Sequence, residues 1–90
     1  MISVKGLVVR SNETHNVDGI DVQRITIEEK KKKILCLLSG EQTRKVQAGD
    51  YAEVQGVLKK FNAKDRSFGK YITVTKLEKL ETEQILKKEI

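Results

Sequence analysis

Apolar and polar residues alternate along most of this chain, and a period of two predicts strands with one buried face. From Ile2 to Ser11, Ile2 and Val4 share a face; after Gly6 the phase changes, with Leu7 and Val9 as the apolar partners. A glycine at a phase change inside a strand predicts a bulge or a sharp bend. Residues 12–19 contain the turn formers Asn12, Asn16, Asp18 and Gly19 and read as a loop. Ile20 to Glu29 is the second strand, with Ile25 and Ile27 on one face and Val22 in the other phase. Lys30 to Lys33 then forms the basic tip of a hairpin, and Ile34-Leu35-Cys36-Leu37-Leu38 a third strand buried on most of both faces. Gly40 to Gln47 breaks the alternation. Glu41 and Gln42 early with Arg44 and Lys45 late suit one or two turns of helix, ended by Gly49-Asp50. The fourth strand is Tyr51 to Lys60, with Ala52, Val54 and Leu58 inward and Gly56 in its middle. A polar loop over residues 61–69 is flanked by Phe61 and Phe68. The fifth strand, Lys70 to Thr75, turns Ile72 and Val74 inward and runs on through Leu77. From Glu78 the apolar spacing becomes irregularly helical, and residues 81–90 read as a tail or short helix.

Five strands with one short helix between the third and fourth is the element order of an all-β, five-stranded Greek-key barrel, the OB-fold, here over residues 1–80. Gly6 and Gly56, both inside strands, would supply the bends that closing so small a barrel requires. An open five-stranded sheet is the competing architecture.

Composition adds a partner class. Eighteen Lys and Arg against thirteen Asp and Glu give a formal charge of +5, which fits a polyanion, nucleic acid first. A chain of 90 residues holds one domain. Its single cysteine, Cys36, excludes an intramolecular disulfide and suits a reducing compartment. Neither a signal-peptide pattern at Met1–Lys5 nor an apolar run long enough to span a bilayer occurs, so the expected location is the cytoplasm.

The charge is clustered where single-strand binding needs it: cations along the phosphates and flat rings for the bases. Between residues 59 and 70, Lys59, Lys60, Lys64, Arg66 and Lys70 face only Asp65; Lys30, Lys31, Lys32 and Lys33 form a second cluster. Phe61 and Phe68 bracket the first cluster, and Tyr71 alternates away from Ile72 and Val74, so these three rings are the stacking candidates. Arg10 and Arg24 lie out of phase with the core and suit phosphate or base contacts. Lysines at a hairpin tip also serve solubility alone, and arginines on strands also pair with surface carboxylates. If Ile34, Cys36 and Leu38 face inward, Leu35 and Leu37 face out, and such a strip predicts an oligomer or partner interface.

Val4-Lys5-Gly6-Leu7-Val8-Val9, Ile25-Thr26-Ile27-Glu28 and Gly49 to Leu58 are among several stretches that resemble bacterial single-stranded-DNA-binding proteins. Val4-Lys5-Gly6-Leu7-Val8-Val9 is similar to their opening strand, and Ile25-Thr26-Ile27-Glu28 to their second. Ile34 to Gln42 is similar to their third strand and the helix entry after it. Gly49-Asp50-Tyr51-Ala52-Glu53-Val54-Gln55-Gly56-Val57-Leu58 resembles the fourth and is the most specific piece. Ile72-Thr73-Val74 with Leu77-Glu78-Lys79-Leu80 resembles the closing strand of the shorter primosomal replication protein B branch. The resemblance spans residues 2 to 80. It implies single-stranded DNA binding in replication, recombination or mobile-element maintenance, and assembly as a dimer or tetramer. The chain departs from the family in having no tryptophan, shorter loops, and Lys87 and Lys88 where members carry an acidic, aromatic tip.

Nothing in the chain predicts catalysis or a cofactor. His15 is the only histidine, in a polar stretch; one Cys and one His do not build a zinc site, and no GxxxxGK loop occurs. Two other readings stay open: a protein-interaction subunit of a replication or repair assembly, docking through Leu35, Leu37 and the tail, and an RNA-binding module.

Overall fold

The computed structural model describes residues 1–60 and 69–81. The strands are β1 (Ile2–Ser11), β2 (His15–Val17), β3 (Ile20–Glu29), β4 (Lys32–Ser39), β5 (Tyr51–Lys60) and β6 (Lys70–Leu80). They form one sheet in the order β1-β5-β6-β4-β3-β2, and an added β1–β3 pairing closes it into a ring. The seam is the parallel β4–β6 pair, held only at Cys36↔Ile72 and Leu37↔Thr73; all other pairings are antiparallel. Five strands thus make a barrel of the OB type, with β2 an extra edge strand on β3.

Strand β1 closes the ring by serving two neighbours. Ile2 to Leu7 pair with β5, and Leu7 to Ser11 pair with β3. Gly6 sits where the two pairings meet: a Cβ there would lie 2.1 Å from the Glu28 carbonyl oxygen. Gly56 plays the matching part on β5, next to a register shift at Gln55/Gly56, where a Cβ would lie 2.1 Å from the Thr73 oxygen. The expected phase change after Gly6 does not occur. Val4 and Val8 are both buried, in phase through Gly6; the irregularity falls later, between Val8 and Arg10. The glycine is there for close backbone approach, not to flip the pleat.

The core is built from the inward residues of every barrel strand: Val4 and Val8, Ile25 and Ile27, Cys36 and Leu38, Ala52 and Val54, Ile72 and Val74. Val46, from the connection between β4 and β5, joins the same cluster. That connection is not the helix expected over Gly40 to Gln47. Only Gly40–Gln42 form a 3-10 turn; Thr43 is extended (ψ 144°) and Arg44 takes φ +67°, so no helix propagates. The segment is held instead by tertiary bonds. Val8 N–H donates to the Asp50 carbonyl and Gly49 N–H to the Val8 carbonyl, both at 2.8 Å. Gln23, buried on β3, donates from Nε2 to the Asn12 carbonyl (3.0 Å) and accepts from Arg44 N–H (2.8 Å). No buried side-chain polar atom among the described residues lacks a partner.

Three further expectations need correction. Residues 12–19 are not all loop, since β2 pairs with β3 around the Asp18-Gly19 turn. Strand β6 runs on through Glu78, Lys79 and Leu80, which pair with Glu53, Ala52 and Tyr51. Leu58 is 46% exposed, because β5 leaves the barrel wall after Gly56 and Val57 to Lys60 are all exposed. Residues 82–90 of the expected tail lie outside the described residues. No helix among the described residues is long and apolar enough to cross a membrane.

Replacing Gly56 by Ala should lower unfolding stability by about 1–3 kcal/mol in urea titrations, because backbone must move to admit the methyl; an unchanged midpoint would show that the strands separate freely there. Burial pushes the Cys36 thiol up from 9.0 to about 12. Above the lower value the unfolded thiol loses its proton while the folded one keeps it, so the unfolded state binds fewer protons and stability falls as pH rises. A Cys36→Val variant should lose less stability than the wild type between about pH 8 and about pH 10, which bracket the ordinary thiol value. Equal losses would mean that the folded thiol ionises normally.

Candidate nucleic-acid interface

Side chains directly opposite one another on paired strands project from the same face. The registers therefore trace what lies on the outside of the barrel. Arg10 on β1 is opposite Thr26 on β3, and Thr26 is opposite Leu35 on β4. The parallel seam carries the row to Tyr71 on β6, which lines one cleft with Leu35, and Tyr71 is opposite Lys59 on β5. A second row runs beside it: Arg24 opposite Leu37, Leu37 opposite Thr73, Thr73 opposite Val57. Both rows have an apolar middle and a cation at one end or both.

Two clefts lined by described residues open on this face. The smaller, ≈ 150 Å³, is lined by Arg24, Leu35, Leu37 and Tyr71. The larger, ≈ 570 Å³, lies between the β2 hairpin and β3 and has Val17, Val22 and Leu37 as its apolar lining. Its polar rim comprises Asn12, Glu13, His15, Gln23 and Arg24. Arg24 and Leu37 belong to both, so the clefts adjoin along one groove face. Among the described residues the ion pairs are Arg44–Asp21 (3.4 Å) and Lys79–Asp50 (3.6 Å), so neither Arg10 nor Arg24 is paired with a described carboxylate.

The basic clusters flank the groove. Lys59, Lys60 and Lys70 are exposed on the β5–β6 ribbon, with Lys60 opposite Lys70. Lys30 to Lys33 are exposed at the β3–β4 hairpin, where Lys33 is opposite Glu28. Phe61, Lys64, Arg66 and Phe68 lie outside the described residues. Elsewhere on the barrel, Glu53 and Glu78 stand opposite each other beside Gln55 and Lys76, so that wall has no cationic excess.

Lys30 and Lys31 occupy a two-residue turn, with φ of +50° and +68°. The β2–β3 hairpin makes the same kind of turn with Asp18 (φ +52°) and Gly19 (φ +85°), a favoured pair for positive φ. Side chains with a Cβ are strained there by roughly 1–2 kcal/mol per residue. The turn geometry alone therefore selects against two lysines. Lys32 and Lys33 already charge the tip, so solubility does not require cations at the strained positions either.

The expected Leu35–Leu37 strip is only half present. Both leucines face out, yet Leu35 is 9% exposed, flanked by Thr26 and Tyr71, and only Leu37 remains half-buried. These leucines form the floor of the groove, not a protruding patch. Residues missed from sequence are Val17, Val22, His15 and Glu13 beside the larger cleft. The available signal was Asp18-Gly19 between two apolar-containing segments, which marks a two-residue hairpin.

No protein-family model, curated protein or solved structure matches this chain.

Exchanging Lys30 for Asn and Lys31 for Gly should stabilise the protein by about 1 kcal/mol, since the turn then suits its residues. The same double variant should bind a single-stranded oligonucleotide more weakly. Unchanged binding with higher stability would leave the two lysines without a ligand role.

Proposed function

We propose that this protein is a non-catalytic single-stranded-DNA-binding protein of the kind it resembles in sequence, acting in DNA replication, recombination or mobile-element maintenance in the cytoplasm. The observation that carries the reading is the outer groove of β3, β4 and β6, where Arg24 and Tyr71 stand over a leucine floor between two basic clusters. In OB barrels the face of the second and third barrel strands, here β3 and β4, and the loops beside it are the usual oligonucleotide site. The strand would lie across this face, with bases against Tyr71, Leu35, Leu37 and the Arg24 guanidinium and phosphates against Arg10, Lys59, Lys60 and the Lys30–Lys33 tip.

Affinity on such a surface comes from counterion release and stacking, both largely indifferent to sequence. The half-buried ring of Tyr71 offers one stacking surface. Phe61 and Phe68, with Lys64 and Arg66, extend the same proposal into the segment joining β5 to β6.

Titrating a fluorescent oligothymidylate at two salt concentrations tests this. Each phosphate contact on a single strand contributes about 0.7 to the log–log salt slope, so a slope steeper than about −2 is expected. Tyr71→Ala should cost about 1–3 kcal/mol of binding. Absence of binding at low salt would discard the proposal in favour of a protein-docking module, and stronger competition by an RNA oligomer would move the ligand to RNA.

A further inference from the structure

The larger cleft is not needed to hold a strand against Tyr71, and its lining is chemically unlike the rest of the groove. Val22 and Leu37 provide an apolar floor, and Val17 adds an apolar wall from β2. At the rim stand one group that only accepts hydrogen bonds, the Glu13 carboxylate, and one that only donates, the Arg24 guanidinium. Neither is engaged in an ion pair among the described residues. The cleft measures ≈ 570 Å³, within the range of about 300–1,000 Å³ typical of small-ligand sites. It adjoins the Tyr71 cleft through shared Arg24 and Leu37, so a strand lying in one passes the mouth of the other.

We propose that this cleft receives one base of the bound strand and selects guanine, with Glu13 and Arg24 as the specificity-determining residues. This rests on the single-strand-binding reading above and adds a base preference to it. Single-stranded bases are read on their Watson–Crick and Hoogsteen edges once splayed from the stack. Guanine presents two adjacent donors, N1–H and the N2 amino group, which a carboxylate accepts together. On its other edge it presents O6 and N7, the acceptor pair that arginine reads. Thymine offers a single N3–H between two carbonyl oxygens, and those oxygens face the carboxylate unfavourably. Cytosine and adenine each place a ring acceptor beside their amino donor, so they too meet Glu13 with one bond and one repulsion.

The mouth of the cleft is held in shape by bonds that leave these two side chains unused. Asn12 N–H donates to the Arg24 carbonyl at 2.9 Å, and Gln23 Nε2 donates to the Asn12 carbonyl at 3.0 Å. Asn16 accepts from Gly19 N–H and donates to Asp21, which fixes the β2 turn. Glu13 lies between these anchors, outside any strand and exposed. Its replacement therefore disturbs no core packing.

The test compares an oligothymidylate of about 15 nucleotides, near the upper site size of an OB fold, with the same oligomer carrying one central guanine. The guanine oligomer should bind about tenfold more tightly, the scale of one good bidentate pair. Inosine at that position, which lacks the N2 amino group, should lose part of the gain. Glu13→Gln removes a negative charge and should raise affinity for both oligomers, so the readout is their ratio, which should fall towards one. Equal affinity of the two oligomers for the wild type, with salt-dependent binding intact, would overturn the guanine site and leave the single-strand reading standing. Binding of neither would overturn both.

Discussion

Closure of the barrel depends on backbone passing close to backbone at two glycines. Gly6 lets β1 lie against the Glu28 carbonyl while it passes from β5 to β3, and Gly56 lets β5 do the same against Thr73. Without that approach the sheet would remain an open ribbon with β1 paired on one side only. Its apolar face, from Val4 through Ile72 and Val74, would then be in water, and burying that face is the dominant favourable contribution to folding. The parallel seam between β4 and β6 is short, so the double duty of β1 is what makes the ring.

The same closure creates the candidate interface. Arg10, Arg24, Leu35, Leu37, Tyr71 and Lys59 come from five strands and are neighbours only because those strands are wrapped around one core. Alternation, and for Arg10 the irregularity after Val8, turns them outward, and register lines them up. The result is an apolar floor edged by cations, which suits a ligand with flat bases and a charged backbone. The seam matters here too, because it brings Tyr71 beside the leucines of β4.

Strain and polar burial are concentrated around this surface. Lys30 and Lys31 hold a conformation that Asp18 and Gly19 adopt more cheaply, so turn formation does not account for the two lysines. Gln23, buried with both ends of its amide satisfied, joins Asn12 to Arg44 and so fixes the entrance of the larger cleft relative to the plug around Val46. A buried amide with its partners in place specifies one arrangement, because any slip leaves it unsatisfied.

Much of this fold is legible in the residues alone. The limits of β1, β3 and β5 follow from alternation and from turn residues, and so does the inward set Ile25, Ile27, Cys36, Leu38, Val54, Ile72 and Val74. These are local properties, since the pleat has a period of two whatever the strand pairs with. The outward direction of Arg24 and Tyr71 is legible for the same reason, whereas Arg10 turns outward only through the irregularity that follows Val8. Tertiary structure alone decides the rest. The helix suggested by Gly40 to Gln47 gives way to a turn because Arg44 N–H is bonded to Gln23 and Val46 is drawn into the core. Leu35 is covered by neighbours on other strands, so burial on the outer face is invisible to a pattern read along one strand. The clefts exist only between β2, β3, β4 and β6, and a cleft is a property of distance between segments, which the order of residues along a chain does not contain.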